Sequence, residues 1–438
     1  MPSAKSTGKG SGIPNLRVAG YPGPFAVHPY ETLRKNIAEV TFPQVLELLT
    51  QPPEAGEDAA AEPGPRDIVF EGTFDEVNEF SYTSQWSDGL PIVPPTIEKV
   101  EEFLKYADRS PDEVIGILSP AKREASIWSI AVNGVMAGCR PEYMPVLVAI
   151  VEVLADPRYG VQESGSTSGW APIIILNGPI IEQLDFNTST GVLRVGRRAN
   201  TSVGRFLRLY MRNVPGFVPG ILDMGQFGRP NYPVLAEDEA LSPWEPLSVT
   251  RGFEPGVSTV TIASAGTRSF DLDYPGTAAE QTLGMLAEQL KPFFLAADML
   301  NLCFGPEMCP ILVLAPMLAK QMADEGYSKK DVQEYIYEHT MITARDFEYY
   351  YNIRKVTFTT ACELVEAERL PAHYCLSDDP ERMVPLFHDP DELQVIVAGT
   401  EGRNRAFAMW NLGRQGLTTS KQVKLPANWD ELLAGLGT

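Results

Sequence analysis

Residues 172–184 read Pro-Ile-Ile-Ile-Leu-Asn-Gly-Pro-Ile-Ile-Glu-Gln-Leu (PIIILNGPIIEQL), and the fold turns on them. Four large aliphatic residues in a row, closed by Asn177-Gly178-Pro179, read as a short strand buried on both faces. A helix follows, because Pro179 suits a first helical turn, where its missing N–H costs nothing. Residues 310–322 (PILVLAPMLAKQM) repeat that order: a proline, four apolar residues, a proline at the helix start, then Gln and an apolar residue. Outward from these two stretches, STVTIASA (258–265) matches EVIGILSP (113–120), and the helical run 277–303 matches 124–155. The expected fold class is α/β: two similar α/β halves related by internal duplication, with a largely parallel sheet.

The halves span 67–250 and 251–438, and the first carries the candidate site. It opens with a helix entered at Thr73-Phe74-Asp75-Glu76, then the Pro-rich extended segment SDGLPIVPPT and a helix over 96–107. A strand is expected over 114–118, helices over 124–138 and 141–155, a strand over 172–176, and helices near 179–185 and 200–212. LQVIVAGT (393–400) reads as the last strand. Residues 1–13, small, polar and Gly-rich, read as a disordered tail. Residues 14–66 read as an extended N-terminal arm, its helical spacing interrupted by Pro43, and a Pro/Ala/acid linker. Such an arm would lie across the body or a neighbouring subunit, in a homo- or hetero-oligomer.

The 438 residues, 44% hydrophobic and 21% charged, suit a soluble protein of more than one core. A net charge of −21 repels phosphate backbones and anionic lipid, which excludes nucleic acid and a membrane surface as partners. No apolar run is long enough to span a bilayer, and no signal-peptide pattern opens the chain. Five cysteines (Cys139, Cys303, Cys309, Cys362, Cys375) are too few and odd in number for a disulfide framework, which points to the reducing cytoplasm. Cys303 and Cys309, in CFGPEMC, lack a zinc spacing, and His28, His339, His373 and His388 form no ligand pair. No phosphate-loop, dinucleotide, nucleophile-elbow or metalloprotease motif occurs, so no metal is expected and the cofactor stays unknown.

Polar residues crowd the stretch from Glu124 to Arg205. Cys139, in MAGCRPEY, ends one apolar helix, with Arg140 and the start of the next helix placed to lower its thiol pKa. It is a candidate nucleophile or redox thiol; a small buried hydrophobe is the alternative role. Arg194, Arg197, Arg198, Asn200, Thr201, Ser202 and Arg205 open a further helix, with Asn200 or Thr201 as its N-cap. Guanidinium groups around free helix N–H groups make an anion site for carboxylate or phosphate. Glu124 and Glu142 are candidate proton carriers, and Asn133 and Asn177 candidate polarising groups, Asn177 at a strand's C-terminal edge. The loop 223–231, followed by Glu237-Asp238-Glu239 and Ser242-Pro243-Trp244-Glu245, would line a pocket or act as a lid.

Several segments together resemble a known family. DGLPIVPPT (88–96), AVNGVMAGCRPEYMPV (131–146), IILNGP (174–179), RRANTSVGR (197–205), SPWEPL (242–247) and GYSKKDVQEYIYEH (326–339) are similar to the proteins associated with UGSC-motif (seleno)proteins, a large bacterial family without a settled function. The resemblance covers roughly residues 70–425 and leaves out 14–66. It implies thiol or selenol redox chemistry in a multi-subunit enzyme. This chain has no UGSC or CGSC segment, so a small Cys/Sec-containing subunit would supply that thiol. Where members often carry His-Pro, this chain has Gly169-Trp170.

The expected function is the large subunit of a cytosolic thiol-dependent redox enzyme acting on a small organic anion. Cys139 would be nucleophile or redox thiol, Glu124 or Glu142 would move protons, and Asn177 would polarise the substrate. Arg197, Arg198, Asn200, Thr201 and Arg205 would hold the anion. The competing readings are a cofactor-independent lyase or hydrolase on a small carboxylate, and a non-catalytic scaffold subunit.

Overall fold

Five helix starts among the described residues follow capping chemistry that is local in sequence, at Thr73, Thr96, Ser126, Ser328 and Thr360. The computed structural model describes residues 15–23, 28–52, 63–165, 171–226, 233–266, 271–273, 278–296, 310–352, 358–411 and 417–436, with residues 4, 5, 8, 13, 25 and 228. Most of the 1–13 tail, and all of Gly169-Trp170 and Cys303–Cys309, lie outside the described residues. In the arm, α1 (Tyr30–Asn36) continues through a π turn into α2 (Phe42–Thr50). Pro43 does not break the run: it sits in the first turn of α2, and the wider turn ahead of it absorbs the missing N–H. Neither helix buries a residue, and Phe42, Leu46 and Leu49 stand exposed. Helix α3 (Phe74–Thr83) starts in a capping box, Thr73 accepting from Glu76 N–H and Glu76 accepting from Thr73 N–H. Helix α4 (Ile97–Leu104) is capped by Thr96.

Strand β1 (Val114–Leu118) pairs only with β2 (Arg123–Ser126), in an antiparallel two-stranded sheet of their own. Ser126 then caps α5 (Ile127–Ala137), which starts three residues later than expected. This helix is buried on nearly every side, among α4, α6 (Met144–Leu154) and α7 (Arg198–Asn213). Gly134 permits the approach: a Cβ there would lie 2.7 Å from Leu147 Cδ1 and 2.8 Å from Phe103 Cε1.

The main sheet takes strands from both sides of residue 250. They are β3 (Ala171–Asn177), β4 (Leu235–Ala236), β5 (Thr259–Gly266), β6 (Asp271–Asp273), β7 (Ile311–Leu314), β10 (Gln394–Val397), β11 (Arg405–Asn411) and β12 (Thr419–Gln422). Helices α8 (Ala279–Ala296), α9 (Pro316–Asp324), α10 (Lys329–His339), α11 (Ala344–Asn352), α12 (Ala361–Glu366) and α13 (Trp429–Ala434) fill the second half, with a small ladder of β8 (Met341–Thr343) and β9 (Met383–Pro385). The strand order is β10-β7-β11-β5-β3-β4, with β12 beside β5 and β6 beside β11.

A largely parallel sheet is not what forms. Parallel pairing occurs at β3–β4 and β7–β10, while β3–β5, β5–β11, β5–β12, β6–β11 and β7–β11 are antiparallel. The strand–helix–strand crossovers lie at the two ends, where they force parallel neighbours. Strands β5 and β11 enter the middle in the opposite sense. The match of 258–265 with 113–120 also fails, because β5 is central to this sheet and β1 lies outside it. A different correspondence holds in the register. Ile175 pairs with Leu235 and Thr261; Val313 pairs with Ile396 and Phe407. Thr261 then pairs with Ser420, and Phe407 with Asp271, and the two networks meet at Ala265 and Asn411.

Alternation along each strand divides the sheet's two faces. Ile173, Ile175, Leu235, Ala263, Ile311, Val313, Ile396 and Met409 form one inner core. That core joins the edge strands β4 and β10, and Asp238 N–H donates to Val397 O at 2.8 Å, so the sheet curls nearly closed. Outward, Ile174, Leu176, Val260 and Ile262 join the core of α5–α7, and Leu312, Leu314, Val395 and Val397 join that of α8–α12. Each fully buried Ile or Leu contributes about 1.5–3 kcal/mol by burial. Among the described residues no helix is long and apolar enough to cross a membrane. Cysteine count argued against disulfides, yet Cys362 and Cys375 are bridged.

Candidate functional site

Helix α5 ends at Gly138, whose left-handed φ of +79° turns the chain out of the helix. Its carbonyl oxygen faces Arg198, whose Nε and Nη2 each lie 3.4 Å away. Cys139 comes next, 6% exposed, its N–H donating to Gly134 O. A 3-10 turn, Pro141–Tyr143, then leads into α6 and buries Glu142 and Tyr143. The Cys139 sulfur lies by the Ser202 hydroxyl on α7, within electrostatic reach of Arg198 and Arg205. The thiol and the arginine-rich helix start therefore come together.

Their electrostatics differ from what the residue types alone lead one to expect. Burial pushes the Cys139 thiol up to about 12, and Ser202, Arg198 and Arg205 pull it back only in part. Arg140 is not among the charges that act on it, and its Nε is engaged by Glu142 Oε1. Tyr143 is likewise pushed up to about 12, by burial first and the Glu142 charge second. One buried oxygen here, Glu142 Oε2, has no hydrogen-bond partner among the described residues, while Ser202 Oγ is partnered through the Cys139 sulfur. Arg140 and Arg198, both exposed, lie close enough to Tyr143 to act on it.

The other candidates are placed as follows. Arg205 is committed to Asp88 through two bonds of 3.0 and 2.8 Å and to Pro91 O at 2.9 Å, which fastens the segment 88–91 against α7. Arg197 pairs with Asp185 at the surface. It is also the N-cap of α7, which starts before Asn200 and Thr201. Buried Asn200 accepts from Asn187 N–H and donates to Asn187 O and Val234 O, so it braces two loops. Thr201 Oγ1 accepts from Gly196 N–H. Asn133 accepts from Asn213. Glu124 does not start a helix: it is exposed on β2, opposite Ile117. The rise of α5, about 1.5 Å per residue, puts it some ~18 Å from Cys139.

Asn177 belongs to a second group. Its Nδ2 donates to Glu237 Oε2 at 2.6 Å and Glu239 Oε1 at 3.0 Å, and Gly178 N–H donates to Glu239 Oε1 at 2.7 Å. Leu247 N–H also donates to Glu237. Lys329, 4% exposed at the start of α10, donates to Glu245 O at 2.9 Å. Burial raises the Glu237 carboxyl and lowers the Lys329 amine, and each charge opposes the other's shift. Asn177 Oδ1 is buried with no partner among the described residues. The loop after β3 runs between the groups: Phe186 packs on Tyr143, Asn187 bonds Asn200, and Thr188 Oγ1 donates to Asp238.

Tyr143 and Lys329 are the members that residue patterns missed. Tyr143 is one apolar residue among many, and Lys329, in a Ser-Lys-Lys-Asp helix start, looks like an exposed first-turn residue. Nothing local marks either. Of the candidate lid, Glu237 and Glu239 do line a group of side chains, whereas 227 and 229–232 lie outside the described residues. No family model, curated protein or solved structure matches the chain.

Proposed function

We propose that the chain binds a small organic anion over Cys139 and Tyr143, clamped by Arg198, with Glu142 as proton carrier and Arg140 as its ion-pair partner. The observation that carries this is a buried carboxylate oxygen, Glu142 Oε2, left without a hydrogen-bond partner among the described residues near the exposed Arg198 guanidinium. A buried carboxylate oxygen without a partner is costly and can only accept, so the ligand that fits carries a hydroxyl donor for it beside the anionic group that Arg198 holds. Arg197 and Arg205 have carboxylate partners, and Asn200 and Thr201 brace backbone, so Arg198 is the member of the expected anion set open to a ligand.

Of the chemistries weighed, a cofactor-independent lyase or hydrolase fits best. A thiol pushed up to about 12 is protonated at neutral pH and is a poor nucleophile. As a small polarisable wall it would shape the pocket, while Glu142 takes or returns a proton. A thiol-dependent redox subunit of the UGSC-associated type remains the competing reading, and needs a partner's thiol or selenol to replace Cys139 in that role. The matched strand registers support reading the two sheet halves as duplicated units, the site being built on the first.

The test uses lactate, malate, succinate and inorganic phosphate as probes, with thermal shift and calorimetry as readouts. At least one should stabilise the wild-type chain and lose its effect in Arg198→Met and Glu142→Gln, but not in Arg197→Met. Equal responses in Arg198→Met and Arg197→Met would refute the clamp. Cys139→Ser keeping the binding, and any activity later found, would favour proton chemistry over redox.

A further inference from the structure

We propose that Cys362 and Cys375 form an exchange-active cystine, with Cys362 as the thiolate that leaves on reduction and attacks on reoxidation. The bridge joins α12 to the 3-10 turn Ala372–Tyr374, with Cα atoms 4.9 Å apart. Both cysteines are only half-buried, and Leu376, Ser377 and Asp378 beside them are exposed, so a small thiol can reach the sulfurs. The two segments have anchors of their own. Thr360 and Glu363 form a capping box, Asn352 holds Thr359, and Ala361, Leu364, Leu370 and Tyr374 are buried in the second core. Opening the bridge therefore leaves the fold in place.

The two sulfurs have different surroundings. Arg382 Nη2 lies 3.5 Å from Cys362 Sγ, and the guanidinium is fixed there by Nε to Tyr374 O at 3.3 Å and Nη1 to Asp379 O at 2.9 Å. Glu348 Oε1, 3.8 Å from the same Nη2, offsets part of that charge, and the cation in contact with one sulfur still favours the thiolate there. In reduction, the thiolate of an external dithiol attacks Cys375 Sγ. The S–S bond breaks, and its electron pair goes to Cys362 Sγ under Arg382. The dithiol's second thiolate then attacks its own sulfur in the mixed disulfide and expels Cys375. Both cysteines take protons from solvent. Overall the cystine gains two electrons and two protons, and the dithiol becomes a cyclic disulfide.

Cys362, Cys375 and the Asp378 carboxylate could also hold a thiophilic cation, their ligand atoms lying within 4.8 Å of one another. The fixed Arg382 charge opposes a metal ion there, which favours exchange.

The test equilibrates the full-length chain in reduced and oxidised dithiothreitol and reads each cysteine by alkylation and peptide mass. The pair should interconvert reversibly with unchanged circular dichroism. At pH 7, Cys362 in Cys375→Ser should react with iodoacetamide about threefold faster than Cys375 in Cys362→Ser, the ratio expected for a thiol pKa about one unit lower once the weaker nucleophilicity of that thiolate is counted. Arg382→Gln should slow Cys362 and leave Cys375 unchanged. Should Arg382→Gln fail to fold, the two single-cysteine chains still decide. A bridge that excess dithiothreitol cannot open in the folded chain, equal alkylation rates, or stoichiometric zinc held by the reduced pair would each overturn the proposal. It stands apart from the anion site, and neither result bears on the other.

Discussion

At the end of β3, Glu237 N–H donates to Leu176 O; at the end of β7, Ala398 N–H donates to Leu314 O, both at 3.1 Å. The same register that aligns these bonds sets Asn177 against Ala315 and Glu237 against Ala398. One strand end thus carries a buried amide, carboxylate and amine, and its counterpart carries two alanines. The alanine end shows that this backbone closes without polar side chains. The charged end is therefore not demanded by strand pairing, and burying it costs desolvation that the alanine end avoids. Selection for chemistry or for bracing the loops 237–247 is what would retain it.

The comparison can be broken most sharply at Glu237. Glu237→Ala leaves the buried Lys329 with only the weaker Glu245 charge opposite it, and chemical denaturation should show a loss of about 3 kcal/mol. Glu237→Leu with Lys329→Met should cost less than either single change. If the double variant is the worst, the pair is not electrostatically coupled. From the other side, Ala315→Asn puts an amide where no partner waits, and should cost about 1–3 kcal/mol. A neutral result would mean that the β7 end has room and hydrogen bonds to spare.

Smaller effects test the contrast between committed and open arginines. Arg205→Lys gives up the two-pronged bond to Asp88 and should cost about 1–2 kcal/mol in thermal unfolding, loosening 88–91. Arg197→Met breaks an exposed pair and should stay within about 0.5 kcal/mol. Cys139→Ser supplies a pH test. The folded thiol titrates at about 12 against an ordinary value of 9.0, so between those pH values the folded chain binds more protons than the unfolded one. That stabilisation is complete below pH 9 and fades as pH rises, by up to about 1.4 kcal/mol per pH unit. Wild type should lose stability over pH 9–12 faster than Cys139→Ser. Parallel curves would mean that the thiol ionises freely in the fold.

Much of the local structure could be read directly from residue order. The strand expected over 172–176 runs Ala171–Asn177, and Thr73, Thr96 and Ser328 each cap a helix. Those features depend on neighbours within a few residues, so one stretch of chain specifies them. The crowding of Cys139 against the start of α7 was also within reach, because Cys139 follows directly on an apolar helix and α7 is amphipathic, with one face that must be buried. Its consequence was not. Arg140 next to Cys139 in sequence implies a lowered thiol pKa, yet Glu142 claims that guanidinium and burial governs the sulfur.

Taken alone, the amino-acid order determined the position of several strands and helices, the capped starts at Thr73, Thr96 and Ser328, and the apolar runs that must be buried on two faces. Only the tertiary structure decided which strands pair, because β5 finds β11 and β12 more than a hundred residues away and hydrogen bonds carry no label in sequence. It also decided which polar groups are partnered. Asp88 for Arg205, and Glu237 for Asn177, come from distant segments, and a side chain's charge and availability depend on who arrives beside it.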